Sequence, residues 1–196
     1  MKKIILLVFL LSVSKAYALK VGDMAPPFSV MASDGKNHAL QEFKGQYVVL
    51  EWHNKDCPFV KKHYGTGNIQ ALQKKWTKKN VAWLTVVSSA AGKQGYETAS
   101  DANAEMKTTH ALPTLMLLDP NGKMGKTYEA KTTPHMFVID KAGKIIYAGA
   151  IDDKTTPDTE DVKTAKNYVD AALEEATSGK PVTISSTQPY GCGIKY

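Results

Sequence analysis

Two cysteines stand in this chain, Cys57 and Cys192, and the first is set up to react. The apolar run Tyr47-Val48-Val49-Leu50-Glu51-Trp52 delivers the chain to Cys57-Pro58-Phe59-Val60. A strand that hands over to the first turn of a helix places sulfur beside unpaired backbone N–H groups and the positive end of the helix dipole, which favours thiolate. Pro58 fits that start, because its missing N–H would go unpaired there anyway. The chemistry expected is attack by the Cys57 thiolate on a disulfide sulfur or, less efficiently, on a peroxide. Position 60 is valine, so no second cysteine lies one turn on and any partner must come from elsewhere.

The N-terminus bears on where that chemistry takes place. Lys2 and Lys3 precede the apolar stretch Ile4 to Val13, and Ala16-Tyr17-Ala18 gives the small-x-small pattern read by signal peptidase. Residues 1–18 are expected to be a cleaved signal peptide and residues 19–196 one domain with a C-terminal cysteine tail, exported to an oxidising compartment such as a bacterial periplasm. The stretch is short for a membrane span, and no stable membrane insertion is expected after cleavage. The formal charge is +6, and removing Lys2, Lys3 and Lys15 leaves +3. So mild an excess argues against nucleic acid as a partner. Lysines 61, 62, 74, 75, 78 and 79 read as a solvated helix face.

In an exported chain with two cysteines, Cys192 is the default partner of Cys57. It lies between Gly191 and Gly193, in a tail that can move at little conformational cost. Three readings stay open: a redox-active pair, an inert buried Cys57, and a structural staple that would constrain the unfolded chain by about 5 kcal/mol in the entropy model. Glu51 sits on the opposite strand face from Val48, Leu50 and Trp52. Poorly solvated, it would have a raised pKa and could serve as a base; otherwise it is an ordinary glutamate paired with a lysine. His53, His63 and His135 map near the same place. One thiolate with scattered histidines is a weak metal signal, so no metal is expected. With neither a glycine-rich phosphate loop nor C-x-x-C-H, no other cofactor is expected either.

These residues need a frame to hold them. Short strands are expected at Phe28 to Met31 and Tyr47 to His53, and a helix at Cys57 to Lys79 broken or kinked at Gly65-Thr66-Gly67. A buried strand follows at Val81 to Val87, a polar helix near Ala99 to Thr108 and an apolar segment at Leu112 to Leu118. A hairpin then joins Phe137 to Asp140 with Ile145 to Gly149. Asp158 to Ser178 reads as one helix, with Val162, Ala165, Val169, Ala172 and Leu173 at helical spacing. Strands alternating with helices argue an α/β sandwich on a mixed sheet.

This order, with Thr133-Pro134 leading into the hairpin and last helix, resembles the thioredoxin fold, and more narrowly its redoxin branch, the alkyl-hydroperoxide-reductase and thiol-specific-antioxidant group. The segments that carry the resemblance are NKDCPFVKKHY at 54–64, KTTPHMFVIDKAGKIIYAGAIDD at 131–153 and the tail PYGCGIKY at 189–196. The tail is similar to that of a peroxiredoxin-like subgroup, where it supplies a second cysteine. The resemblance implies a three-layer sandwich with a central mixed sheet, Cys57 as nucleophile, and Cys192 as the resolving cysteine that closes a disulfide with it. It also implies a cis Thr133-Pro134 element that faces the nucleophile and pairs with an extended substrate, and in Glu51 a buried carboxylate that assists proton transfer.

The pattern also departs from the family. Peroxiredoxins place Pro and Thr ahead of the cysteine where this chain has Leu50 and Asn54, and they hold peroxide with an arginine, of which this chain has none. Lysine does not reproduce the guanidinium fork. Copper carriers of the same fold use a second cysteine where Lys61 stands. The expectation is therefore an exported thiol-disulfide oxidoreductase, acting on protein or small-molecule thiols and disulfides and regenerated by an external thiol reductant. A hydroperoxide-reducing peroxiredoxin is the alternative enzyme; a binding module with a static disulfide, or a copper carrier, is the alternative without catalysis.

Overall fold

A computed structural model describes residues 18–196. The expected leader, all but its last residue, lies outside the described residues. In chain order the elements are β1 (Ser29–Ala32), β2 (Asn37–Ala39), β3 (Tyr47–Trp52), α1 (Pro58–Gly65), α2 (Asn68–Thr77), β4 (Val81–Val87), α3 (Ala99–Thr109) and β5 (Leu115–Leu118). They continue with α4 (Lys123–Thr127), β6 (Thr132–Thr133), β7 (His135–Ile139), β8 (Ile145–Gly149), α5 (Tyr168–Thr177) and β9 (Cys192–Gly193).

The main sheet runs β2-β1-β5-β4-β3-β7-β8. Strands β3, β4 and β5 are parallel, while β7, β8, β1 and β2 add on antiparallel. The central strands are buried on both faces, and alternation divides β3 between two cores. Val48, Leu50 and Trp52 join Leu84, Val86, Tyr128 and Phe137 on one side. Val49 joins Trp83, Met136 and Val138 on the other, under α2 (Ile69, Leu72, Trp76) and α5 (Val169, Ala172, Leu173). Glu51 shares the face of Val49, as the alternation required.

The long helix expected after Cys57 is broken where its glycines stand: α2 begins after Gly67, whose φ of 74° lies in the left-handed region that glycine enters freely. Two expectations are corrected. The segment from Asp158 is two pieces, a 3-10 turn at Thr159–Lys163 and then α5. Between them Lys166 N–H donates to Asp153, Tyr168 N–H donates to the Ile151 carbonyl, and Asn167 caps the new helix at Asp170 N–H. The loop at 151–153 thus takes backbone donors that a continuous helix would have used. Lys62, read as solvated, is only 1 % exposed. Its ammonium donates to the Lys154 carbonyl at 2.7 Å and lies 5.3 Å from the centre of the Tyr190 ring, so burial is compensated.

Candidate active site

Cys57 is the N-cap of α1, with extended backbone (φ −73°, ψ 124°) and Pro58 in the first helical turn. β3, paired with β4 on one edge and β7 on the other, fixes where this turn stands. The thiol is fully buried. It donates to the Thr133 carbonyl at 3.0 Å, across the cis Thr133–Pro134 bond.

The tail arrives on the far side of the same residue. Strand β9 pairs antiparallel with β6, setting Cys192 opposite Thr133 and Gly193 opposite Thr132. No disulfide joins the two cysteines, and each meets Thr133: the Cys57 thiol donates to the Thr133 carbonyl, and the Thr133 hydroxyl donates to the Cys192 carbonyl at 3.4 Å. The backbone approach is tight: a side chain on Gly191 would put its Cβ 2.1 Å from the Thr133 carbonyl oxygen. Cys57, Cys192, Thr133 and Pro134 are therefore gathered at one point.

The two thiols differ in electrostatics. Burial pushes Cys57 up, but hydrogen bonds from the Cys192 thiol, Val60 N–H, the Thr133 hydroxyl and Cys192 N–H outweigh it, and the net shift is downward. Cys192 is pushed up to about 11 by burial, and by the hydrogen bond and charge of Cys57.

Contacts on both sides of Cys192 hold the tail in place. Tyr190 donates to the Asp152 carboxylate and stacks edge-on against Phe59, with ring centres 5.8 Å apart. Its oxygen lies 3.2 Å from His63 Nε2. Asn68 donates to His63 Nδ1 at 2.8 Å, so the proton is on Nε2 and runs toward Tyr190. Burial and the nearby Lys62 charge drive His63 down to about 3, keeping it neutral. Beyond Cys192, Ile194 N–H donates to the Lys131 carbonyl, Ala90 N–H to the Lys195 carbonyl, and the Tyr196 hydroxyl to the Ala130 carbonyl.

Glu51 stands apart from this point. It is buried and accepts from Trp83 Nε1 at 2.6 Å, Tyr64 at 2.9 Å and Thr85 at 3.2 Å. Burial raises its pKa, opposed by nearby His53 and by those donors. Among the described residues none of its hydrogen bonds reaches Cys57, so any part it plays in proton transfer runs through other groups. The three histidines also diverge. His63 serves the tail, His135 packs on Phe137 with ring centres 4.6 Å apart, and His53 Nε2 faces Glu105 at 3.0 Å. Sequence reasoning missed Tyr190, Asp152 and the pair Glu97 and Glu105. An aromatic two residues before a tail cysteine was the available signal for the first.

Comparison with known proteins places this geometry. The chain is 28% identical over 136 residues to the thiol-disulfide oxidoreductase ResA of Bacillus cereus, covering 68% of this chain and 71% of that one. An uncharacterized conserved protein from Geobacillus kaustophilus superposes with a TM-score of 0.78 at 25% identity, over 90% of this chain and 92% of that chain. A hypothetical protein from Sinorhizobium meliloti gives 0.79 at 23% identity, over 92% and 96%. The three-layer thioredoxin-like sandwich with a central mixed sheet is thus the fold of this chain. The family model takes in Cys57 and Pro134 and stops before the tail that bears Cys192. Matched by that model over residues 20–169, the chain belongs to the Redoxin family.

Proposed function

We propose that this protein is an exported thiol-disulfide oxidoreductase in which Cys57 attacks and Cys192 resolves. The Cys57 thiolate attacks one sulfur of a substrate disulfide and expels the other as thiolate, leaving a mixed disulfide. Cys192, deprotonated, then attacks the Cys57 sulfur and releases the second substrate thiolate. The substrate gains two electrons and the protein ends with a Cys57–Cys192 bridge, which an external thiol reductant reopens.

The observation that carries this reading is the pairing of Cys192 with Thr133 beside the Cys57 thiol. The high pKa of Cys192 fits its waiting role. Part of that elevation comes from Cys57 itself, and it disappears once Cys57 is tied up in a mixed disulfide. The tail also lies along the β6 edge, where an extended substrate chain would pair. A protein substrate must therefore displace it along the whole edge, and even a small disulfide needs the cover over the buried Cys57 sulfur to open.

Hydroperoxide is the weaker substrate. The chain has no arginine, and the buried Asn54 is occupied at both ends, its Oδ1 by Asp56 N–H and its Nδ2 by the Gln94 carbonyl. Export rests on residues 1–18 and is checked by N-terminal sequencing of protein recovered from a periplasmic fraction, expected to begin near Leu19.

The deciding experiment is single turnover of the reduced protein with a low-molecular-weight disulfide and, separately, with stoichiometric hydrogen peroxide. Fast bridge formation with the disulfide and a free-thiol rate with peroxide are expected. Cys57→Ser abolishes the reaction, and Cys192→Ser stops at a stable mixed disulfide. Full activity in Cys57→Ser would sink the mechanism.

A further inference from the structure

A second cluster of chemistry-bearing groups lies behind the site, where α3 meets the end of β3. The sequence builds it by fixing where α3 starts. Thr98 and Asp101 form a capping box: the Thr98 hydroxyl accepts from Asp101 N–H at 3.2 Å, and Asp101 accepts from Thr98 N–H at 3.0 Å. Glu97 is thereby held one residue ahead of the cap. Glu105, two turns into the helix, tilts back toward the N-terminus as helical side chains do. His53 enters from β3, four residues before Cys57.

The three side chains converge. Their ligand atoms all lie within 4.8 Å of one another, and His53 Nε2 is 3.0 and 3.2 Å from the two Glu105 oxygens. His53 is 1 % exposed and Glu97 3 %. Both Glu97 oxygens are buried without a hydrogen-bond partner, and so is His53 Nδ1. A buried carboxylate with no donor, set against a second carboxylate, is among the most costly polar arrangements a fold can hold. Lys55 contributes positive charge nearby but forms no ion pair with either glutamate, and Glu51 beyond His53 is held by its own donors. A proton between the carboxylates would still leave one Glu97 oxygen unpaired. A metal ion carrying water satisfies both oxygens, one by coordination and the other by a hydrogen bond from the bound water.

We propose that His53, Glu97 and Glu105 form a binding site for one divalent cation of the zinc or manganese class. One imidazole and two carboxylates suit such ions and not copper(I), which prefers thiolate or thioether. Ligands about 2.1 Å from an ion stand about 3 Å apart when adjacent, so the His53–Glu105 spacing already fits, and Glu97 lies within 4.8 Å of both. A surface cavity of about 590 Å³ lined by Lys55, Tyr64, Glu105, Thr109 and neighbours offers entry at the Glu105 edge. Bound there, the ion would tie α3 to the segment that links β3 to Cys57.

The test uses the full mature chain as Cys57→Ser/Cys192→Ser, which removes thiolates as competing ligands. Calorimetric titration with zinc or manganese is expected to show one equivalent bound with a Kd below about 10 μM. Cobalt(II) should give a visible spectrum without thiolate charge transfer. Glu97→Gln and Glu105→Gln are each expected to weaken binding at least about 30-fold while the circular dichroism of the fold is kept. Absence of binding up to about 1 mM, or unchanged binding in both variants, overturns the site. Should the variants not fold, the parent decides: zinc must raise its Tm and a chelator must reverse the rise, and an unmoved Tm overturns the proposal.

Discussion

The segment bearing Cys57 and the tail bearing Cys192 meet at Thr133, yet they are secured by opposite means. β3 is hydrogen-bonded along both edges and buried on both faces, and α1 starts rigidly from it at Pro58. The tail has no flanking strands on both edges, and only Tyr190, Ile194 and Tyr196 pack side chains on the body. It is strapped on by the Tyr190 hydroxyl, the two-residue pairing to β6, single backbone bonds from Ala90 and Ile194, and the Tyr196 hydroxyl. Donors converge on Cys57 and lower its pKa, while Cys192 is pushed up to about 11. Opening the tail lifts three side chains off the rim of the body, whereas moving Cys57 would disturb the sheet itself. The thiol that must be ready is placed by the sheet, and the thiol that must wait is placed by a strap.

The sharpest way to break this contrast is to lift the strap without touching either sulfur. Gly191 has a φ of 125° and no room for a Cβ against the Thr133 carbonyl. Gly191→Val is therefore expected to detach β9. With Cys192 no longer held beside Cys57, closure of the internal bridge should slow on the order of 100-fold, since proximity supplies that step. Formation of the mixed disulfide loses the Cys192 donors to the Cys57 thiolate but gains an open β6 edge, so at neutral pH it should change by no more than severalfold. Stopped-flow kinetics separates the two steps. A first step slowed as much as the second would mean that the tail helps to build the attacking site itself.

A smaller effect tests the electrostatic half of the comparison. Cys192→Ala removes the thiol that donates to Cys57 and leaves the Cys192 N–H in place. Loss of one donor to the thiolate raises the Cys57 pKa, so the alkylation rate of Cys57 against pH should move to the alkaline side. At neutral pH a drop of severalfold is expected. An unmoved profile would show that the helix start and Thr133 set the thiolate without help from the tail.

How much of this could be read in advance follows the same division. The sheet-borne half was legible: a run of β-branched and aromatic residues into Cys-Pro announces a strand and a helix start, and Thr133-Pro134 ahead of the hairpin announces the element opposite. The strap was only partly legible. Two-residue strands carry no periodicity, so the pairing of Thr133 with Cys192 is invisible to pattern reading. Val162 and Ala165 continue the spacing of Val169 and Leu173, so apolar period alone runs the last helix through a break that backbone capture by residues 151–153 imposes. Glu97, ahead of the expected polar helix, and Glu105 within it carried no pattern signal, because their meeting depends on the approach of His53, a distant residue.

The last test probes one fastening of the strap. Tyr190→Phe keeps the ring against Phe59 and beneath Lys62 but deletes the hydroxyl that donates to Asp152. Asp152 is 1 % exposed, and one of its oxygens has no partner already. Removing a donor from so buried a carboxylate is expected to destabilise the fold by about 1–3 kcal/mol at pH 7. The pH dependence has a definite sign. Burial raises the Asp152 pKa and the Tyr190 hydrogen bond opposes the rise, so the variant's carboxyl sits higher still. A carboxyl whose folded pKa exceeds its unfolded value holds protons that unfolding would release, and stability falls as pH rises through that window. Widening the window makes the variant's deficit greatest near neutrality and smaller as pH drops toward the unfolded carboxyl range, where both states are protonated. Urea unfolding of parent and variant at pH 7 and near pH 4 reads the difference. No deficit at either pH would mean that Tyr190 holds the tail by its ring alone, and an equal deficit at both would mean that the hydroxyl acts independently of the Asp152 charge.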